Sequence, residues 1–412
     1  MKNPWGELTG VKPVKLTREL FKGNPYNGRQ PHEKDEVRRI LIEERGLSRT
    51  KADLLIEIYE YQQRVLQGEA YRSCGLYIGI PFCPTRCLYC SFTSNQKPYE
   101  EVERYLKALL KETEYVGRRL RETGMTVETI YIGGGTPTTL DEGQLERLLD
   151  AVLHNFDLCK LREFTLEAGR PDTITAGKLR IAREHGVDRI SINPQSMKER
   201  TLELIGRSHT PQEILKAFEI ASGSGIPVIN CDLIAGLPEE STGDFEKTLE
   251  TIMALRPANI TVHTLALKRA SRLIEQDASY HETHSDVVSE MIELSNEMLR
   301  DGGYLPYYLY RLKRMAGALE NTGWCLPGTA GIYNIRIMDE QQSIVALGAG
   351  GMTKVYFPSE NRLERVPNVN NYEVYIDRLQ EMLERKEQGL FKMIPEIDKQ
   401  TELLQGGNKN AY

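Results

Sequence analysis

Between residues 75 and 264 the chain alternates short apolar segments with amphipathic ones six times over, and this alternation restricts the fold more than any other feature. Leu76–Ile80, Thr129–Ile132, Glu163–Glu167, Arg189–Asn193, Pro227–Leu233 and Asn259–Thr264 read as strands. Val102, Tyr105, Leu106, Leu109, Leu110 and Val116 recur at helical spacing after the first of them. Further helices are expected over Glu142–Leu153, Thr175–Glu184, Pro211–Ser222 and Gly243–Leu255. Strands joined by helices run parallel through right-handed crossovers. A full eight-unit barrel takes roughly 250 residues, so six units in about 190 predict a partial one. The expected fold is therefore α/β, a partial (β/α)6 barrel.

The flanks read differently. Residues 1–70 are charged and lack strand patterning; they predict a helical region with helices over Glu33–Glu44 and Lys51–Gln67. Gly46 is the stop between them, and Ser48 or Thr50 the next N-cap. The barrel core is expected over residues 71–265, an α+β extension closing the barrel over 266–390, and a mobile tail over 391–412. Within the extension, Tyr304–Tyr310 is dense in tyrosine, Ser343–Gly351 is an apolar strand running into glycines, and Asn371–Lys386 reads as one closing helix.

No apolar run is long enough to span a bilayer and the N-terminus carries no signal pattern, which predicts a cytoplasmic protein. The net charge of -6 argues against a broad nucleic-acid-binding surface. The seven cysteines are odd in number and three are clustered, a poor disulfide framework but a reasonable metal site.

Those three are Cys83, Cys87 and Cys90, in the loop after the first strand. Thiolates are the natural ligands of a cubane [4Fe–4S] cluster, which has four iron corners. Three ligands leave one iron open to an outside chelator, such as the amine and carboxylate of S-adenosylmethionine (SAM). Structural zinc, the competing reading, wants four ligands and would have to recruit Cys74. Cys74, Cys159, Cys231 and Cys325 otherwise read as ordinary thiols.

Gly133-Gly134-Gly135-Thr136-Pro137 follows the second strand and permits close approach of backbone to a ligand, although a tight turn explains it equally well. Functional residues of a parallel barrel collect at strand carboxyl ends, where Glu167, Gln195 and Asp232 stand. Each is equally a cap or turn residue. Asp232 is the strongest, because it interrupts the run Val228–Ile234, and a carboxylate suits a ribose diol. Arg207 is suited to a forked pair with a carboxylate, or is a solvated surface arginine.

Together these segments resemble one family. Tyr77-Ile78-x-Ile80-Pro81-Phe82-Cys83-x-x-x-Cys87-x-Tyr89-Cys90, the glycine run, and Asp232-Leu233-Ile234-x-Gly236-Leu237-Pro238 are similar to radical SAM oxygen-independent coproporphyrinogen III oxidases. The opening Asn3-Pro4-Trp5-Gly6 segment and Cys87-Leu88-Tyr89-Cys90-Ser91-Phe92 look most like the HemZ-type coproporphyrinogen dehydrogenases. The resemblance implies oxidative decarboxylation of coproporphyrinogen III propionates to vinyls, giving protoporphyrinogen IX, with flavodoxin or ferredoxin as electron donor. It also admits two alternatives: a haem chaperone, and a tetrapyrrole methyl- or ring-opening transferase.

Carried over by position, the resemblance implies that Gly135 and Thr136 bind the SAM amino group, Gln195 and Asp232 the ribose, Arg207 the carboxylate and Ala266 the adenine. Tyr77 and Glu167 stand as catalytic candidates. With Tyr89, Gly134 and Met352 they match positions that contact SAM, in some relatives a second SAM. Gly79 stands where relatives carry histidine, and Phe92 where they carry a fourth cysteine. Lys268, Arg269, Arg311, Lys313 and Arg314 are candidate cations for propionates, or solvated charges. The cluster reading predicts that adding SAM to the reconstituted protein changes the cluster's EPR spectrum; a cluster ligated by four cysteines stays unchanged.

Overall fold

The computed structural model describes residues 3–8, 10–23, 28, 30–66, 72–90, 94–266, 285–312 and 319–408, and all six expected strands are present. They are Ser73–Ile80 (β1), Thr126–Gly134 (β2), Glu163–Glu167 (β3), Arg189–Gln195 (β4), Val228–Ala235 (β5) and Asn259–Thr264 (β6). Each pairs in parallel with the next in sequence. Between them run the expected helices Tyr99–Thr123 (α4), Glu142–Asn155 (α5), Ala176–Glu184 (α6), Pro211–Gly223 (α8) and Thr242–Ala254 (α9). A short helix not foreseen, Glu199–Leu204 (α7), precedes α8. Capping boxes at Asp141, Thr210 and Ser241 start α5, α8 and α9, because a side-chain oxygen there accepts an otherwise orphaned helix N–H.

Alternation sorts the strand side chains. Leu76, Ile78, Ile80, Ile130, Ile132, Phe164, Leu166, Ile190 and Ile192 are buried in the main core with the helices' apolar faces. The intervening residues, such as Tyr77, Tyr131, Glu167 and Asp232, face the barrel interior.

The C-terminal residues join the same sheet rather than standing beside it. Leu305–Tyr310 (β7) and Asn321–Cys325 (β8) extend it beyond β6, so the tyrosine-dense patch is an edge strand. Ser343–Leu347 (β9), Met352–Phe357 (β10) and Arg362–Pro367 (β11) extend it beyond β1, with β9 parallel to β1. The described sheet thus has eleven strands, in the order β11-β10-β9-β1-β2-β3-β4-β5-β6-β8-β7.

Among the described residues the amino-terminal region carries three helices, Pro13–Lys22 (α1), Lys34–Arg39 (α2, continued by a π-turn over Ile40–Glu44) and Arg49–Val65 (α3). Ser48, not Thr50, caps α3, its hydroxyl accepting from Lys51 N at 3.3 Å. Their apolar faces share a cluster with Leu309 of β7, covering a sheet edge that would otherwise offer unpaired backbone groups. Trp5 Nε1 donates to Glu320 Oε2 at 2.8 Å, and Lys51 pairs with the other oxygen of the same buried carboxylate.

A helix over Ser285–Asp301 (α10) packs on α9, and another, Ile332–Asp339 (α11), closes the amino-terminal end of the barrel. Glu163, the first residue of β3, accepts from Ile332 N at 2.5 Å and Tyr333 N at 3.3 Å. A carboxylate at a helix N-terminus satisfies both the free N–H groups and the dipole. Arg336 forks onto Glu128 at 2.8 and 2.9 Å, while Arg189 and Asn259 donate to Thr329 O.

The single closing helix foreseen over Asn371–Lys386 is broken at Arg378 (φ -112°, ψ 26°) into Tyr372–Asp377 (α12) and Leu379–Lys386 (α13). In the segment read as a tail, Ile394–Asn408 (α14) is helical, and Ile394 and Ile397 are buried in the main core. Residues 409–412 lie outside the described residues.

Lys386 and Glu112 of α4 form an ion pair at 2.7 Å that is 0% exposed on both sides. Glu112 also accepts from Gly348 N (2.7 Å), Tyr375 OH (2.6 Å) and Asn368 Nδ2 (2.9 Å), and Lys386 donates to Asn368 Oδ1 at 2.6 Å. Burial opposes ionisation of Glu112, yet Lys386 and these donors hold its pKa below the ordinary range. Lys386→Met leaves a buried carboxylate without its counter-charge and is expected to lower stability by about 3–5 kcal/mol in urea denaturation. The double variant E112Q/K386M should recover part of that loss.

Candidate active site

Pairing of Ile80 with Gly134 ends β1 and β2 at the same level and sets the cysteine and glycine loops side by side. Gly135 N donates to Ile80 O at 2.8 Å and Thr136 N to Phe82 O at 2.7 Å. A Cβ on Gly135 would lie 2.5 Å from Phe82 O and 3.0 Å from Cys83 Sγ, so no larger residue fits the crossing. Gly134 adopts φ +113°, a region glycine reaches readily. The far side of the loop is anchored by Cys83 N to Asn95 O (3.1 Å) and Leu88 N to Ile205 O (2.9 Å).

Cys83, Cys87 and Cys90 are all partly accessible at this end of the barrel. Cys83 Sγ lies 3.4 Å from Thr136 Oγ1, and burial pushes its thiol up to about 11. Cys74 is fully buried near the start of β1, six residues before Ile80. At roughly 3.3 Å per residue that is about 20 Å away. A zinc site that recruits Cys74 is therefore ruled out by the strand itself.

Arg207 is not a surface arginine. It is 8% exposed, donating from Nη1 to Asn193 O at 2.6 Å and from Nη2 to Tyr89 OH at 3.0 Å, while its buried Nε has no partner among the described residues. Gln195 ends β4 at φ +68° after a register shift, and its buried Oε1 is likewise unpartnered, as is Asn193 Oδ1. Buried polar atoms are normally satisfied. A carboxylate could take the Arg207 N–H, and hydroxyls could donate to Gln195 and Asn193. The donor set therefore fits an amino acid joined to a ribose, resting beside three thiolates.

Below this rim the barrel interior is polar and aromatic. Tyr131 stacks on Tyr333 with ring centres 4.6 Å apart, and Tyr77 lies against Tyr131 at 6.3 Å. Glu167 ends β3 between them and the glycine loop. It accepts from Gly134 N at 3.1 Å and from Tyr131 OH, and burial raises its carboxyl to about 7 despite those donors. Asp232 lies three residues short of the end of β5, deeper than the sequence suggested. It accepts from Asn230 Nδ2 at 2.9 Å and faces His263 Nε2 at 3.5 Å. Burial opposes its charge, but His263 and Asn230 bring its pKa below the ordinary range.

His263, whose other ring nitrogen is 3.3 Å from Tyr310 OH, is a chamber residue that sequence reasoning missed. The signal was present: Asn259, Thr261 and His263 are the polar members of an alternating strand. Tyr333 and Tyr310 carry no such signal, since only the fold brings them near Tyr131 and His263.

The remaining candidates are placed less centrally. Ala266 is half-buried just beyond the end of β6. Met352 opens β10, two strands from β1 on the side away from β2, and is 40% exposed. Arg311 does not face the barrel mouth as a propionate cation would. Its backbone N donates to Val11 O, and its guanidinium lies over the Trp5 ring at 4.9 Å, because β7 leads it under the amino-terminal helices. Lys268, Arg269, Lys313, Arg314 and Phe92 lie outside the described residues.

The Glu167 carboxyl yields a test. In an unfolded chain it titrates at about 4.3. Between that value and about 7 the folded chain retains a proton that the unfolded chain has lost. Its contribution to stability therefore falls as pH rises through this window and levels off above it. Urea midpoints of the metal-free protein should decline less from pH 5 to pH 7.5 in Glu167→Gln than in wild type.

Residues 77–252 match the radical SAM superfamily. The oxygen-independent coproporphyrinogen-III oxidase-like protein HemZ of Bacillus subtilis is 37% identical over 402 residues, 96% of this chain and 79% of the relative. The heme chaperone HemW of Escherichia coli is 30% identical over 289 residues, 69% of this chain and 71% of the relative. Among solved structures, coproporphyrinogen III oxidase HemN of Escherichia coli, a radical SAM enzyme, superposes with a TM-score of 0.60 at 21% identity, covering 78% of this chain and 72% of that one, and so shares the fold. The chain belongs to the radical SAM superfamily, whose members use a [4Fe–4S] cluster and SAM, and within it to the family of oxygen-independent coproporphyrinogen III oxidase-like HemZ proteins.

Proposed function

We propose that the protein catalyses oxidative decarboxylation of coproporphyrinogen III propionates to vinyl groups, yielding protoporphyrinogen IX. The observation that carries the reading is the barrel interior beside the glycine loop, where Tyr77, Tyr131 and Tyr333 gather around the Glu167 carboxyl. A porphyrinogen presents pyrrole N–H donors and broad apolar faces. Carboxylates suit the former and tyrosine rings the latter.

Cys83, Cys87 and Cys90 would hold the cluster. Gly135 and Thr136 would take the SAM amino group, Arg207 through its spare Nε the carboxylate, and Gln195 with Asp232 the ribose. Ala266 would border the adenine, with Tyr89, Gly134 and Met352 completing the surround; a second SAM would bind on the Met352 side. When bound, these groups supply reductive cleavage of SAM to a carbon radical able to take a hydrogen atom from the propionate β-carbon, the electron coming from flavodoxin or ferredoxin.

The protein's own residues position and exclude. Tyr77 and Glu167 border both the glycine loop and the chamber, so they orient substrate against the cofactor. Glu167, raised to about 7 by burial, accepts a substrate N–H when ionised and donates a proton when neutral. Helix α11 shuts the opposite end of the barrel to water.

A second reading, haem delivery, is favoured by the likeness to HemW. One anaerobic experiment decides: the reconstituted protein with SAM, reductant and coproporphyrinogen III should release 5′-deoxyadenosine and protoporphyrinogen IX. Tight haem binding with no porphyrinogen product would favour delivery, and a product of methylated or ring-opened mass would favour transfer chemistry.

A further inference from the structure

Arg170 follows β3 by three residues, is 3% exposed, and points at the cysteine loop. A guanidinium has five N–H donors in a fixed fork, and all five are spoken for here. Nε donates to Asp172 Oδ1 at 3.0 Å, and Nη2 to Asp172 Oδ2 at 3.1 Å and Ser208 Oγ at 2.8 Å. Nη1 divides its two hydrogens between Thr85 Oγ1 at 2.8 Å and Cys87 Sγ at 3.8 Å. The bidentate grip of Asp172, itself reached by Ser208 Oγ at 3.3 Å, leaves the guanidinium no freedom to turn away. Thr173 fixes the backbone from below, donating to Arg170 O through both N (3.0 Å) and Oγ1 (2.8 Å).

The cysteine loop is thus flanked by two buried arginines with different duties. Arg207 holds Tyr89 and keeps one N–H in reserve. Arg170 reserves nothing, and its last donor is satisfied only by the Cys87 sulfur. Three thiolates around a cluster concentrate negative charge at the barrel rim, and each added electron deepens it. Hydrogen bonds to ligating sulfurs and nearby charge are what set the potential of such a centre.

We propose that Arg170 is a positioning and charge-compensating residue for the cluster, locked by Asp172 so that it donates to the Cys87 sulfur and favours the reduced state. The proposal rests on the assignment of the three cysteines as cluster ligands. Loss of the guanidinium should make the cluster harder to reduce, whereas a lysine, which keeps the charge but not the fork, should restore much of the effect.

The test uses full-length wild type, Arg170→Gln and Arg170→Lys, each reconstituted anaerobically with ferrous iron and sulfide. Iron and sulfide per chain are measured first, then the midpoint potential by EPR-monitored redox titration. The expected result is a more negative midpoint in R170Q and a value close to wild type in R170K. If R170Q fails to retain iron while R170K retains it, the need for the charge is shown directly. Equal midpoints in all three proteins, equal shifts in both variants, or equal loss of iron from both would overturn the proposal. Wild type that takes up no iron would instead undo the cluster assignment.

Discussion

Two backbone hydrogen bonds, from Gly135 to Ile80 and from Thr136 to Phe82, join the loops on which the rest of the site is assembled. They exist because β1 and β2 are parallel and in register up to Ile80 and Gly134. Parallel pairing delivers both loops to the same end of the sheet, and four further parallel strands deliver Glu167, Gln195 and Asp232 to that side as well. In an antiparallel pair, loops that follow the two strands leave from opposite ends. The cysteines would then have no glycine loop to lean on.

The molecule treats the two ends of its barrel in opposite ways. At the amino-terminal end the charges of Glu163, Arg336 and Glu128 are paired: Glu163 caps α11, and Arg336 forks onto Glu128. Buried ions are costly unless paired, so this end is shut and rigid. At the carboxyl end, polar atoms of Arg207, Gln195 and Asn193 are buried without partners among the described residues. Leaving such atoms unmade costs about 1–3 kcal/mol each. A ligand supplying the missing groups at the rim would recover that cost. The network around Glu112 and Lys386 ties the carboxyl-terminal helices and the Gly348 turn to α4.

The order of elements, the cysteine loop and the interior-facing positions of β1 to β6 could all be read from local pattern. Alternation in a strand has a period of two and needs no partner to be visible. Where pattern was weak, the reading stopped short. Leu305–Tyr310 looked like a tyrosine cluster because its alternation is broken, and the break at Arg378 leaves no mark in a run of helix-forming residues. Arg311 illustrates the other difficulty. A cation near the chamber strands in sequence was a reasonable ligand for carboxylates, yet the strand carries it under Trp5.

The sequence by itself determined the cluster chemistry, because three thiolates spaced within eight residues constrain their ligand whatever surrounds them. It pointed to the parallel sheet too, since strands joined by helical crossovers pair in parallel as a rule. Only the tertiary structure decided what lies beside that cluster and beneath it. Arg170 meets Cys87 across more than eighty residues, Tyr333 meets Tyr131 across two hundred, and His263 meets Asp232 and Tyr310 from three different strands. Such pairings depend on how the whole chain closes, and local sequence carries no record of a neighbour that only closure supplies.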